Sequence, residues 1–112
     1  MGKNTESSLG LEKLVDFIAS KYKPEKIILF GSYGTNGRSE DSDIDLLIIK
    51  KTHKRFVDRV VELMQLIRNQ FGIEYPVEPL VYTPGEWRYA KKINSIFTRT
   101  ILSKGTVLYE KE

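Results

Sequence analysis

The sequence predicts an α/β domain, a small β-sheet flanked by helices. Three observations carry this reading. Short apolar runs of strand length (26–30, 44–49 and 76–82) are separated by longer segments with helical spacing of apolar residues. Between Ile44 and Tyr82 the order is strand, long helix, strand. That order implies a right-handed crossover and parallel pairing of its two strands. The run Ile44–Ile49 is apolar on both faces past Asp45, as expected for a strand inside a sheet. With 112 residues, the chain reads as one domain spanning 1–112. Such a chain buries roughly two-thirds of its unfolded surface, enough for one core.

Each element has a local reason. Met1–Ser7 is polar and reads as a flexible lead. Leu11, Leu14, Val15, Ile18 and Tyr22 recur at helical spacing, so Leu9–Tyr22 is expected to be an amphipathic helix with Ser8 as its cap. Pro24 disfavours helical geometry at Lys23 and ends it. Lys26–Phe30 is the first strand. Tyr33–Asn36 could form a short helix, and Gly34 and Gly37 loosen the loop that follows. Ile44–Ile49 is the second strand. Phe56, Val60, Leu63, Met64, Ile67 and Phe71 form the apolar stripe of a long helix, Thr52–Gln70, capped by Thr52 and ended near Gly72.

Pro76–Tyr82 is the third strand, and Pro79 within it suits an edge position. Thr83-Pro84-Gly85-Glu86 has the pattern of a capping box with proline at the first helical position. Trp87 on this helix reads as core. Ile93–Leu102 reads as a last helix ended at Lys104-Gly105, and Thr106–Tyr109 as a short final strand.

The stretch 27–49, IILFGSYGTNGRSEDSDIDLLII, concentrates the candidate chemistry. Two strands flank a loop that opens with Gly31-Ser32 and closes with Ser42-Asp43-Ile44-Asp45. Strand alternation sends Asp43 and Asp45 to the same side, roughly 7 Å apart at the backbone. Two carboxylates about 5 Å apart at an effective dielectric near 20 repel by roughly 3 kcal/mol. A divalent cation is the simplest way to offset that cost, and Mg²⁺ is commonly held by one or two carboxylates plus substrate phosphates. Gly31-Ser32, just past a strand end, offers N–H groups and a hydroxyl to phosphates. Either pair alone is weak, since acids near turns are usually solvated and glycine ends most strands. Parallel pairing of the second and third strands would bring a third acid, Glu78, to the same sheet end. The alternative for Glu78 is an edge charge that discourages aggregation.

The joint pattern, Gly31-Ser32, ten residues, then Asp43-Ile44-Asp45, resembles the signature of nucleotidyltransferases of the DNA polymerase beta type. The similarity is greatest to the minimal nucleotidyltransferases found beside HEPN-domain partners. It runs from about Ile27 to Glu110 and includes Pro76-Val77-Glu78, Tyr82–Glu86 and Gly105–Tyr109. The resemblance implies a palm-like fold with a small mixed sheet. It also implies transfer of a nucleoside monophosphate, AMP from ATP, to a hydroxyl with two Mg²⁺ ions. Asp43, Asp45 and Glu78 would be catalytic and hold the metal. Gly31, Ser32 and Ser42 would bind the nucleotide. In this family the third acid is more often aspartate, and many relatives carry arginine soon after the Gly-Ser pair, where this chain has Tyr33-Gly34.

Three functional classes follow. The first is an antitoxin that adenylylates a tyrosine of a HEPN ribonuclease toxin. The second is a transferase acting on a small molecule or RNA. The third is a binding protein that neutralises its partner without catalysis. The shortness of the chain favours the first and third. A homo- or hetero-oligomer is compatible with each.

Composition narrows the field further. The chain has no cysteine, which removes disulfides, thiolate metal sites and cysteine nucleophiles, and is compatible with an expected cytoplasmic location. No apolar run approaches the ~20 residues of a membrane span, and no signal-like apolar stretch opens the chain. A net charge of +3 suits an anionic ligand or partner, whereas nucleic-acid binding usually needs far more. Arg38, Arg88, Lys91 and Lys92 could face a triphosphate or only water. The cluster Lys50, Lys51, His53, Lys54 and Arg55 precedes a helix, where positive charge opposes the macrodipole. It reads as solvated, and His53 as a surface residue.

Overall fold

A computed structural model of the chain describes residues 3–31, 44–72 and 75–112, with side chains from residue 10 onward. The elements in chain order are α1 (Lys3–Lys21), β1 (Lys26–Phe30), β2 (Ile44–Ile49), α2 (Phe56–Phe71), β3 (Val77–Tyr82), α3 (Pro84–Ile93), α4 (Ile96–Lys104) and β4 (Thr106–Glu110). The strands form one sheet in the order β3-β2-β1-β4. β2 and β3 are parallel, and β1 is antiparallel to both β2 and β4. The expected mixed sheet with flanking helices and the expected parallel crossover are both observed.

Strict alternation along the strands divides the core into two. Ile27, Leu29, Ile44, Leu46, Ile48, Val77 and Val81 face one side, where Leu14 and Ile18 of α1 and Leu63 and Ile67 of α2 pack on them. Ile28, Leu47 and Ile49 face the other side, under Trp87 of α3 and Ile101 of α4. β2 lies inside the sheet between β1 and β3 and is covered on both faces, which explains its unbroken apolar run. Leu46 and Leu63 are fully buried, and each such burial contributes roughly 1.5–3 kcal/mol. Pro79 sits on β3, an edge strand, so its missing N–H breaks no second ladder.

Several boundaries differ from the sequence reading. α1 begins at Lys3, so Ser8 lies inside the helix rather than at its cap. Its end is as expected, with Lys23 in the left-handed region ahead of Pro24. α2 begins at Phe56, four residues later than Thr52. The Thr52 hydroxyl instead accepts from the Lys54 N–H, a local turn that competes with helix. The last apolar stretch is not one helix from Ile93. Asn94 takes a left-handed conformation that closes α3, and Ser95 starts α4 by accepting from the Thr98 N–H. Gly105 ends α4 for a steric reason. A Cβ there would stand 2.5 Å from the Ile101 carbonyl oxygen and 3.0 Å from the Ile28 side chain.

An ion pair between a buried arginine and a half-exposed glutamate ties α2 to α3. Arg59 is only 6% exposed. Its guanidinium donates to both carboxylate oxygens of Glu86 at 2.7 and 3.1 Å. It also donates to the carbonyls of Lys54 and Val81. Glu86 completes the capping box of α3, accepting from the Thr83 N–H at 2.9 Å while its own N–H donates to the Thr83 hydroxyl. The Arg59 guanidinium holds the Glu86 carboxyl below its ordinary pKa, helped by the Thr83 N–H and opposed by partial burial.

Candidate active site

Asp45 is the second residue of β2 and points to the face covered by α3 and α4. Across the antiparallel pair its register partner is Phe30, the last residue of β1. Gly31 follows at once with φ +79°, a left-handed conformation that glycine adopts without steric cost. The Asp45 carboxylate packs against the Gly31 α-carbon so closely that any side chain there would overlap its Oδ2 oxygen. The strand-Gly-turn is therefore shaped around that carboxylate.

On the other side of β2, Glu78 is the parallel register partner of Asp45. Adjacent strands lie about 4.8 Å apart, and register partners in a parallel pair send their side chains to the same face. Asp45 is half-buried and Glu78 exposed. Gly31, Asp45 and Glu78 thus meet at one end of the sheet on one face, as the crossover argument anticipates. Ser32, Ser42 and Asp43 lie outside the described residues, as do Tyr33, Gly34 and Arg38. Among the described residues no group of three metal-capable side chains occurs. Asp45 and Glu78 fit the hard-oxygen donor set of a magnesium ion that takes its remaining ligands from phosphates and water.

Arg88 of α3 is not brought to this end. Arg88 lines a depression with Lys26, Ile49 and Glu110, and the Lys26–Ile49 pair closes the far end of the β1–β2 ladder. That is about 13 Å along the strands from the Phe30–Asp45 pair. Lys91 lies over the Trp87 ring, 5.7 Å from its centroid. Trp87 itself is core, as expected. His53 and Lys54 are exposed. Lys50, at the strand end, donates to the Tyr22 carbonyl at 2.7 Å.

A groove of about 600 Å³ opens on the same face as the carboxylates, lined by Phe56, Tyr82, Tyr89, Ile93 and Phe97 among others. Phe97 packs edge-on against Phe30, ring centroids 5.6 Å apart. Sequence reasoning missed this groove, because its lining comes from α2, β3, α3 and α4 at once. It also missed Arg59, although Arg59, Leu63 and Ile67 share the spacing of four that marks one helix face.

A family model for the nucleotidyltransferase domain matches residues 11–103. The chain belongs to the nucleotidyltransferase domain family. A relative in Methanocaldococcus jannaschii, named "Putative protein adenylyltransferase", is 36% identical over 101 residues, covering 88% of this chain and 94% of that protein. The fold agrees with a crystal structure from Sulfolobus solfataricus described as a "putative nucleotidyltransferase". That match has a TM-score of 0.60 at 21% identity and covers 90% of this chain and 78% of that one. The nucleotidyltransferase is thus a transferase whose family implies a nucleoside triphosphate substrate, and its sheet end places Gly31, Asp45 and Glu78 together. No helix among the described residues is long and apolar enough to cross a membrane.

Proposed function

We propose that this nucleotidyltransferase transfers AMP from ATP to a protein hydroxyl, with Asp45 and Glu78, joined by Asp43, as its catalytic carboxylates. The observation that carries the proposal is the register pairing of Asp45 with Glu78 beside Gly31. The name of the Methanocaldococcus relative, which this chain covers almost end to end, supports a protein acceptor. The resemblance of the Gly31 to Asp45 stretch to minimal nucleotidyltransferases points to a tyrosine of a HEPN-domain toxin, which would make the chain its antitoxin.

In the reaction the acceptor oxygen attacks the α-phosphorus. The bond from that phosphorus to the bridging oxygen of pyrophosphate breaks, and pyrophosphate leaves with the electron pair. The hydroxyl proton passes to Glu78 or to water. Magnesium bound at Asp43, Asp45 and Glu78 would neutralise charge on the attacking and leaving oxygens. Asp45 holds its place because Gly31 leaves room for it. Glu78, the more exposed of the two, would meet the incoming acceptor. Gly31, Ser32 and Ser42 would receive the phosphates through N–H and hydroxyl donors.

The test mixes the purified chain with ATP, Mg²⁺ and a HEPN-domain protein encoded in the adjacent reading frame. Intact mass spectrometry should show the partner heavier by one or more AMP units, and the gain should vanish with Asp45→Asn. A partner that is inhibited but keeps its mass would replace transfer with simple binding.

A further inference from the structure

The carboxylates face α3 and α4, and these helices carry five cations, Arg88, Lys91, Lys92, Arg99 and Lys104, all exposed. Four of them are turned elsewhere. Arg88 stands at the far end of the sheet with Lys26 and Glu110. Lys91 lies over the Trp87 ring. Lys92 and Arg99 are each two positions from a residue that packs on the sheet, Ala90 and Ile101 respectively. Two positions along a helix make a rotation of about 200°, so both look away from the sheet. Lys104 differs. It follows Ile101 by three residues and Phe97 by seven, and so shares the stripe of α4 that packs over Ile28 and Phe30. It stands on the sheet side of α4 and is still open to solvent.

The strand ladder fixes where this lysine sits. Lys104 is the last residue of α4, and Thr106, two residues on, pairs with Leu29 of β1. Continued by two residues, that antiparallel pairing sets Lys104 abreast of Gly31. Gly105 lies directly against β1, since a Cβ there would come within 3.0 Å of the Ile28 side chain. Ile28 belongs to the face that Asp45 shares. The strands run β2-β1-β4 in the sheet, so Asp45 and Lys104 flank the Gly31 turn from opposite sides, each roughly one strand spacing of 4.8 Å away. Among the described residues Lys104 makes no ion pair. A lysine in a last helical turn also suits the macrodipole. That accounts for a cation at this helix end, but not for its place beside Gly31.

We propose that Lys104 binds the β- and γ-phosphates of the nucleoside triphosphate at Gly31, a role that rests on the transfer reading above. As the bond between the α-phosphorus and the bridging oxygen breaks, negative charge collects on pyrophosphate. The Lys104 ammonium neutralises it there by a charge-assisted hydrogen bond and keeps its proton. The same contact makes Lys104 a specificity residue. It favours a nucleotide that carries β- and γ-phosphates and contributes nothing to the binding of AMP.

Calorimetry with Mg-ATP and, by displacement, with Mg-AMP tests this on the full chain and on its Lys104→Ala, Lys104→Arg and Arg99→Ala variants. Lys104→Ala should weaken Mg-ATP by about tenfold and leave Mg-AMP unchanged. Lys104→Arg should keep most of the affinity, because the charge remains. Arg99→Ala, on the helix face turned from the sheet, should bind as the wild type does, which separates a local contact from a general loss of positive charge. A thermal melt of each variant shows that it is folded. Unchanged Mg-ATP affinity in Lys104→Ala overturns the assignment and leaves Lys104 only its place at a helix end. So does an equal loss for ATP and AMP, or an equal loss in Arg99→Ala. A wild-type chain that binds no Mg-ATP overturns the transfer reading itself, whereas ATP binding indifferent to Lys104 overturns only the assignment of this residue.

Discussion

The Asp45 carboxylate rests on the α-carbon of Gly31, where no side chain has room. The contact ties the turn after β1 to the carboxylate on β2. Gly31→Ala would pay twice, once for a left-handed backbone and once for displacing Asp45. The backbone part alone costs about 1–2 kcal/mol. The expected result is a lower melting temperature and Mg-ATP binding weakened by about tenfold or more. Calorimetry beside a thermal melt checks both. A variant with wild-type nucleotide affinity would show that Asp45 can hold its position without Gly31.

Glu78 stands across from Asp45 in parallel register, yet it is the more exposed of the two. Glu78→Gln should therefore keep most Mg-ATP affinity while transfer falls roughly a hundredfold or more. Glu78→Asp should be milder, because it keeps the charge. Binding and transfer are measured on the same preparations, and a parallel loss of both in Glu78→Gln would count against separate roles. In the melt, Mg²⁺ should stabilise the wild-type chain more than Asp45→Asn.

The Arg59–Glu86 fork should make stability depend on acid. Glu86 has a lowered pKa in the folded state. A depressed carboxyl contributes stability that is fully present above its unfolded value and lost as pH falls through the folded one. The loss therefore begins near the ordinary value of 4.5 and grows below it. Glu86→Gln should cost roughly 2 kcal/mol at neutral pH and flatten this acid dependence. Urea titrations of both proteins across that range provide the comparison.

Tyr22 gives the opposite sign at the alkaline end. Its hydroxyl is buried and lacks a hydrogen-bond partner among the described residues. Burial, then the charge of Glu62, pushes its pKa up to about 12 against the pull of Arg59. The folded state thus retains the proton more tightly than the unfolded chain. That contribution is intact below pH 10.0 and disappears as pH rises toward about 12. Tyr22→Phe should be neutral or stabilising by about 1 kcal/mol at pH 7. It should also remove this alkaline loss, as read from urea midpoints at rising pH.

The elements that sequence reasoning located well are those set by local chemistry. The capping box at Thr83 needs only residues three apart, and it formed as expected. Parallel pairing of β2 with β3 followed from chain order, and it carried Glu78 to Asp45. Features that depend on distant packing were not legible. The break at Asn94 is hidden because Ile93, Ile96 and Phe97 look like one apolar stretch. Arg59 drew no notice, since nothing nearby in sequence announces that Glu86 will meet it. Arg88 reads as a possible phosphate ligand until the direction of α3 places it at the far end of the sheet.

The strand order also governs when the sheet can be completed. β1 lies between β2 and β4, and Lys26 is paired with Glu110 near the other terminus. One hydrogen-bonding edge of β1 therefore stays unclosed until β4 has left the ribosome. During synthesis the chain carries an open, apolar strand edge, the kind of surface on which partly made proteins aggregate. Pairing between such distant segments is also slow to form. Removing β4 would leave the β1 edge permanently open, so in the finished protein the last strand covers an edge that would otherwise favour self-association.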